Sequence, residues 1–277
     1  MFAFQKWIRK AAMPGILAGS VAVGTSCGIS TAQEQQMGQQ YATQINSQLP
    51  IVNDASANRY LTQLGTSIAQ RGQRRIPYRF FIVNSEVVNA FAVPGGYVYV
   101  NRGLIEAADN VSELAGVVAH EIGHVEERHS VEQLERVQGA NLGLNLAFIL
   151  LGRAPSGVES AAINVGGGAF FARYSRGAED EADAVAVRLL VASGIHPNGL
   201  VTFFNELIAE RQRRPSQLEQ WFSTHPTTED WIRHVQGLIA RVPRSQLQGL
   251  PMAGSGFDTF KANLRRYPAP PRQTRAR

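Results

Sequence analysis

The chain has 277 residues, of which 44% are hydrophobic, and this is enough for the core of one sizeable domain. Its formal charge of +5 comes from the two ends, because residues 27–260 hold 18 basic and 22 acidic residues, a net charge of −4. A mildly acidic body gives no basis for nucleic-acid binding, and we expect no nucleic-acid partner. The basic segment 261–277, which contains three prolines, is predicted to be disordered.

The first residues have the composition of an export signal. Three basic residues precede a mostly apolar run over 11–23 that is short for a membrane span. Two processing sites remain open: 24–27 resembles a bacterial lipobox ending in Cys27, with Gly24 where Leu or Val is usual, and 30–32 is a small-x-small signal peptidase site. We predict export to the bacterial periplasm, and the place of Cys27 directly after the apolar run favours a lipid anchor. As the only cysteine, Cys27 excludes a disulfide framework.

The segment before the central motif predicts helices followed by a small sheet. The first helix is glutamine-rich, and the second begins at a capping Asp54 and carries apolar residues at helical spacing. The turn signal Pro94-Gly95-Gly96 separates two strand candidates. In chain order, the pattern predicts helices over 33–48 and 54–71, strands over 78–83, 89–93 and 97–100, and a short helix over 102–108.

The central motif is His120-Glu121-Ile122-Gly123-His124, within an apolar stretch, 111–128, that is predicted to be a buried helix. Residues four apart share a face of a helix, so His120 and His124 can bind one metal ion while Glu121 reaches a water beside it. Buried imidazole and carboxylate groups need partners, and a zinc site would supply them. A catalytic zinc site needs a third protein ligand.

The residues directly after the motif do not supply that ligand. One class of zinc protease places it six residues after the second histidine, with a glycine between, but this chain has Ser130 and Glu127 at those positions. His129 is out of phase with the motif, and we interpret it as a solvated residue at a helix end. A further helix is predicted over 131–151, and its apolar part, 142–151, is too short for a membrane span.

A second helix, predicted over 179–193, offers acidic ligands. Glu179 and Asp183 are four residues apart and share a face, so Glu179 can bind the metal while Asp183 accepts the spare ring N–H of a ligand histidine. The alternative is an acidic helix start that favours the helix dipole, but the other residues of the segment are largely apolar. Beyond it, helices are predicted over 198–213 and 227–241, with His225 in the loop between them.

Four ordered motifs carry a family resemblance over about residues 55–240. They are Asn89-Ala90-Phe91-Ala92-x-Pro94-Gly95-Gly96, His120-Glu121-x-x-His124, Ser175-Arg176-x-x-Glu179-x-x-Ala182-Asp183 and His225-Pro226. The chain resembles the zinc metallopeptidase family that includes the CAAX prenyl endopeptidase, bacterial HtpX and the mitochondrial OMA protease, and above all its periplasmic, often lipid-anchored bacterial members. The resemblance implies a mainly α fold with a small β-sheet (α+β), of the zincin-like (gluzincin) type.

The resemblance also implies a division of the chain and a role for each motif. Residues 1–32 would be the signal and a short polar lead, 33–245 the metallopeptidase domain, and 246–277 a proline- and arginine-rich tail. Glu121 would be the general base, and His225 would face the zinc, either stabilising the oxyanion or capping the metal. The implied ligands of one Zn²⁺ are His120, His124 and Glu179. The implied edge strand that aligns an extended substrate is Asn89, Ala90, Phe91 and Ala92.

The activity that the resemblance implies is a zinc-dependent endopeptidase acting on unfolded or misassembled envelope proteins. The alternative is a zinc-containing chaperone or scaffold that binds such proteins without turnover, and an intact Glu121 favours catalysis. One departure concerns an arginine that the family usually has six residues after the histidine that corresponds to His225. Trp231 stands there, with Arg233 two residues further on, so the arrangement around the transition state stays open.

Overall fold

The computed structural model describes residues 28–138, 174–211, 213, 215–225 and 229–269. The expectations for Cys27 and for the apolar segment 142–151 concern residues outside these ranges. Within them, the chain is mainly helical with one three-stranded sheet, as the sequence predicts. No helix in the described ranges is both long and apolar enough to cross a bilayer.

The predicted elements are found within a few residues of their expected ends. Asp54 caps the second helix by accepting a hydrogen bond from the Ala57 N–H, and Ser175 caps the acidic helix in the same way from Ala178. The elements in chain order are α1 (Thr31–Gln48), α2 (Ala55–Ala69), β1 (Arg79–Val83), β2 (Ala90–Val93), β3 (Tyr97–Asn101), α3 (Arg102–Ala107), α4 (Val111–Glu126), α5 (His129–Gln138), α6 (Arg176–Ala192), α7 (Asn198–Glu210), α8 (Pro215–Thr224), α9 (Glu229–Ala240), α10 (Arg244–Leu247) and α11 (Phe257–Arg266).

The sheet has the strand order β1-β3-β2, so β2 lies at an edge. β3 runs parallel to β1 and antiparallel to β2, with Ala90 opposite Val100. The Asn101 N–H donates to the Asn89 carbonyl at 2.9 Å, which makes this pair a hydrogen-bonded one. Because such pairs alternate along an antiparallel ladder, Ala90 and Ala92 direct their backbone groups away from β3, toward the free edge.

Helix α4 forms the centre of the core and packs against α6, α7, α2 and β2. Its contact with α6 is very close at Gly123, where an added Cβ would lie 2.6 Å from the Ala182 carbonyl oxygen. A side chain there would force the two helices apart, so the glycine inside the motif is required by packing. The close contact places the acidic face of α6 directly beside the histidines of α4.

Helix α8 occupies the place where the sequence predicted a loop, and that prediction is wrong. The helix is short, but Leu218 and Trp221 lie three residues apart on one face and are 2% and 0% exposed. Burial of these two side chains stabilises a segment whose local pattern is weak. His225 directly follows the helix, and its N–H donates to the Trp221 carbonyl at 2.8 Å.

The C-terminal segment is ordered through residue 269, so the prediction of disorder from 261 onward is wrong for its first part. Helix α11 buries Phe257, Phe260 and Leu264, which lie at helical spacing and pack on α2. Phe260 stacks on Tyr60 with ring centroids 4.5 Å apart. The Lys261 ammonium donates to the Ala108 carbonyl. Composition alone missed this helix because a basic, proline-containing segment does not reveal the apolar stripe that Phe257, Phe260 and Leu264 form.

Candidate metal centre and active site

Four side chains converge at the buried contact between α4, α6 and the end of α8. His120 and His124 come from α4, Glu179 from α6, and His225 follows α8. One ligand atom from each lies within 4.8 Å of the others, and none of the four residues is more than 3% exposed. Helical periodicity accounts for the two histidines, and tertiary packing adds the other two.

The atoms that face one another at this centre fit a bound cation. The Nε2 atoms of His120 and His124 are 3.0 Å apart, and Glu179 oxygens lie 3.6 and 3.5 Å from them. Burial holds the pKa of His124 well below its usual value, which keeps its imidazole neutral. Two nitrogens and a carboxylate are the donor set that Zn²⁺ takes in catalytic sites with three protein ligands.

The pKa shifts of His120 and Glu179 also agree with a bound cation. Burial lowers the pKa of His120, but hydrogen bonds and charges from Asp183 and Glu179 outweigh burial and raise it well above its usual value. Burial also acts to raise the pKa of Glu179, yet the neighbouring His225, His120 and His124 hold it well below its usual value. The cluster therefore attracts positive charge, which a metal ion would supply.

Asp183 supports the first of the two α4 histidines. Its Oδ1 lies 2.8 Å from His120 Nδ1, on the side of the ring away from the cluster. An Nδ1–H that donates to this carboxylate leaves the lone pair of Nε2 directed at the metal position. Burial raises the pKa of Asp183 to about 6, against the lowering effect of its hydrogen bond with His120.

Glu121 lies beside the cluster and is fully buried, and neither of its carboxylate oxygens has a partner at full hydrogen-bond geometry in the described part of the chain, although the Ala92 backbone acts to lower its pKa. The nearest His225 nitrogen, Nε2, is 3.5 Å from Glu121 Oε1. Burial raises the pKa of Glu121, although His225 and His120 oppose the shift. A buried carboxylate without hydrogen bonds is costly for a fold, and it is free to accept a proton from a reacting molecule.

His225 is the fourth side chain of the cluster and the one that follows α8. Its Nδ1 is 3.2 and 3.3 Å from the Glu179 oxygens and 3.4 Å from His120 Nε2. Its ring stacks on Trp221 with centroids 4.5 Å apart and an interplanar angle of 24°. In this conformation His225 is positioned as a fourth ligand.

The edge strand β2 packs against α4 beside the cluster. Asn89, just before it, is fully buried, and neither polar atom of its side chain has a partner among the described residues. The Ala92 carbonyl accepts a hydrogen bond from the Ser130 hydroxyl at 3.3 Å, and that hydroxyl is 3.0 Å from the Tyr174 hydroxyl. The structure therefore brings the predicted substrate strand to the predicted metal site.

Sequence reasoning missed two residues that contact the ligands. His129 was interpreted as solvated, but it is 3% exposed, and its Nδ1 lies 2.9 Å from His124 Nδ1. Tyr174 stacks on the His124 ring at a centroid distance of 3.9 Å and an interplanar angle of 17°. The only sequence signal for Tyr174 is its place directly before the Ser175-Arg176 motif. His129 was missed because α4 ends at Glu126 and α5 begins at His129, so helical periodicity from the motif does not give the direction of its side chain.

Trp231, at the position where an arginine was expected, belongs to the core. It is 7% exposed and packs edge-on against Phe204, with ring centroids 4.1 Å apart. The side chain of Arg233 is 65% exposed and pairs with Asp230 on the same helix. Arg233 therefore does not take the place of the expected arginine at the buried centre.

Comparisons with known proteins agree on one family. The family model for peptidase family M48 matches residues 55–239. The beta-barrel assembly-enhancing protease of Escherichia coli (strain K12) is 33% identical over 217 residues, which are 75% of this chain and 44% of that protein. The metalloprotease LoiP of the same strain is 28% identical over 225 residues, 80% of this chain and 86% of that protein. The mitochondrial metalloendopeptidase OMA1 of Schizosaccharomyces pombe is 27% identical over 169 residues, 61% and 49% of the two chains. The chain thus spans less than half the length of the beta-barrel assembly-enhancing protease.

Proposed function

The chain belongs to peptidase family M48, and we propose that it is a zinc-dependent endopeptidase whose active site is the buried centre at α4 and α6. One observation carries the proposal: metal-ligating atoms of His120, His124 and Glu179 converge beside Glu121, a buried carboxylate whose oxygens have no partner at full hydrogen-bond geometry within the described residues. A purely structural metal site would not need that carboxylate. This is the physical argument against a scaffold that binds proteins without turnover.

The proposed mechanism assigns one task to each residue. His120, His124 and Glu179 would hold zinc, which lowers the pKa of a bound water to about 7 and polarises a carbonyl. Glu121 accepts a proton from the attacking water and passes it to the departing amine nitrogen, and its raised pKa suits both transfers. Asp183 keeps His120 in the tautomer whose Nε2 faces the centre.

The proposed substrates are unfolded or misassembled proteins of the bacterial envelope. Ala90 and Ala92 direct their backbone groups to the side of β2 that no strand of the described residues pairs with, and an extended peptide that displaces the Ser130 contact can pair there as an added strand. A folded protein rarely offers such a free strand, whereas an unfolded one does. One relative of the chain is named for enhancing the assembly of beta-barrels, which agrees with a protein substrate.

We expect one zinc ion per purified chain, measured by elemental analysis after gel filtration. His124→Ala and Glu179→Ala each remove one of three ligands, so both variants should lose most of the metal. Asp180→Asn is the matched control, because it removes an exposed carboxylate from the same helix without removing a ligand. The Asp180 side chain contacts His234, with Oδ1 and Nε2 3.6 Å apart. Full zinc occupancy in both ligand variants would remove these assignments.

We expect Glu121→Gln to keep its zinc and its fold but to lower casein hydrolysis about 10²–10⁴-fold, because the amide has the same shape and cannot accept the proton. Casein cleavage with and without a chelator measures the rate, and a pull-down with unfolded casein measures binding. A rate near that of the wild type would exclude Glu121 as the base. A wild-type chain that binds casein without cutting it would support the scaffold instead.

We propose that His225 caps the metal position in the conformation described here, so His225→Ala should retain zinc and hydrolyse casein faster. The reason is that three ligands already complete a catalytic set, and a fourth blocks the place of the water. Trp221→Phe is the control, because it changes the ring that stacks on His225 and keeps the imidazole itself. A fall of about 10²–10³ in turnover would assign oxyanion stabilisation to His225. An unchanged rate would place the residue outside the active site.

We propose that the chain is exported and anchored to a membrane through a lipid on Cys27. The support is the order of basic residues, apolar run and cysteine in 1–27. In a bacterial host, Cys27→Ala should move the protein from the membrane fraction to the soluble periplasmic fraction. An intact mass that corresponds to an unmodified chain starting at Gln33 would contradict lipidation and support cleavage after Ala32.

A further inference from the structure

We infer that His129, backed by Glu181, is a positioning residue that holds His124 in the tautomer able to bind metal. The inference goes beyond the ligand set and rests on the proposed metal site. Its basis is a line of hydrogen-bonding groups that starts at the ligand and ends at the protein surface. Neither His129 nor Glu181 touches the centre itself, so both act through His124.

The geometry of the line is continuous. His124 Nδ1 lies 2.9 Å from His129 Nδ1, and His129 Nε2 lies 3.0 Å from Glu181 Oε2. The two imidazoles are buried, whereas the Glu181 side chain is 64% exposed. Both ring nitrogens of His129 thus have a partner, one on α4 and one on α6.

The direction of both hydrogen bonds follows from the role of His124 as a ligand. Its Nε2 faces the centre, 3.5 Å from Glu179 Oε1, and must present a lone pair to a metal. The proton is then on Nδ1, which donates to His129 Nδ1. A neutral His129 that accepts there carries its own proton on Nε2 and donates to the Glu181 carboxylate, which can only accept.

The two ligand histidines are therefore supported in parallel by one helix. His120 donates directly to Asp183, and His124 reaches Glu181 through His129. Glu181 and Asp183 lie on α6 two and four residues after the ligand Glu179. A shift of α6 would disturb the third ligand and both supports together, so packing of α6 on α4 sets the geometry of the whole centre.

The backbone gives an independent reason to single out His129. Five residues along an unbroken helix would place His129 about 140° around the axis from His124, facing elsewhere. Instead Arg128, which joins α4 to α5, has φ of 61° and is the non-glycine residue with positive φ in the described ranges. Contacts from its guanidinium to Glu34, at 3.3 Å, and to the Ile29 carbonyl hold it there. Strained backbone of this kind persists where the surrounding structure fixes it, and here it returns His129 to the ligand.

The test compares two replacements of His129 in the full chain. Asn offers a side-chain oxygen near the position of Nδ1 and can accept from His124, whereas Leu fills the space and cannot. We measure the zinc dissociation constant by competition with a chelator, the visible absorption spectrum of the cobalt-substituted protein, and kcat and KM for a casein-derived peptide. His129→Leu should weaken zinc binding about 10–100-fold, alter the cobalt spectrum and lower kcat with little change in KM. His129→Asn should recover most of the affinity.

Two surface variants keep the test decisive if the Leu variant does not fold. Glu181→Ala should weaken zinc binding in the same direction but less, because the exposed carboxylate can be replaced by water. Asp180→Asn, one residue away on the same helix, should leave it unchanged. Equal zinc affinity in wild type, His129→Leu and Glu181→Ala would refute this inference alone, as would an Asn variant no better than Leu. A wild-type chain that binds no zinc would refute the proposed active site, and this inference with it.

Discussion

The active centre depends on how closely helices α4 and α6 approach each other. At Gly123 there is no room for a side chain, because an added Cβ would lie 2.6 Å from the Ala182 carbonyl oxygen. This contact allows a carboxylate ligand from α6 to reach the two imidazoles that α4 presents. It also brings Asp183 behind His120 and Glu181 within reach of His129. The same glycine therefore serves packing and chemistry, and the spacing of the metal-ligating atoms follows from the packing.

Burial makes these atoms reactive and also makes them costly. Desolvation opposes every charge at the centre, and it raises the pKa of Glu121 and Asp183 while it lowers that of His124. Hydrogen bonds offset this for His120, Glu179 and Asp183, but Glu121 is left without one in the described residues. Such a carboxylate is costly for stability, and the proposed proton transfer at a metal site would account for it.

The site is also arranged around a free sheet edge. The backbone groups of Ala90 and Ala92 lie on the side of β2 away from β3, where no strand of the described residues pairs with it, and β2 packs on α4. The Ser130 hydroxyl already contacts the Ala92 carbonyl, so a peptide that pairs along the edge would compete for that acceptor. The His225 imidazole lies in the same region, with a ring nitrogen within 4.8 Å of the ligating atoms of His120, His124 and Glu179.

Local pattern was sufficient to find the parts of the site that lie within single helices. His120, Glu121 and His124 share a face of α4, and Glu179 and Asp183 share a face of α6, because helical periodicity relates residues four apart. Helix caps and turns are likewise local features. Asp54, Ser175 and the glycine turn mark ends of α2, α6, β2 and β3, and these ends were therefore predicted within a few residues.

Tertiary structure alone decided what joins these parts. Helix α8 forms because Leu218 and Trp221 are buried by other elements, and this fixes His225 at the centre. Helix α11 is ordered because Phe260 has Tyr60 to pack on, which its basic composition does not reveal. His129 reaches His124 through the left-handed backbone of Arg128, a conformation that depends on Glu34 and Ile29 from distant sequence. Periodicity within the sequence determined which residues of one helix share a face, whereas contacts between distant segments determined which faces meet, since only packing in three dimensions fixes the latter.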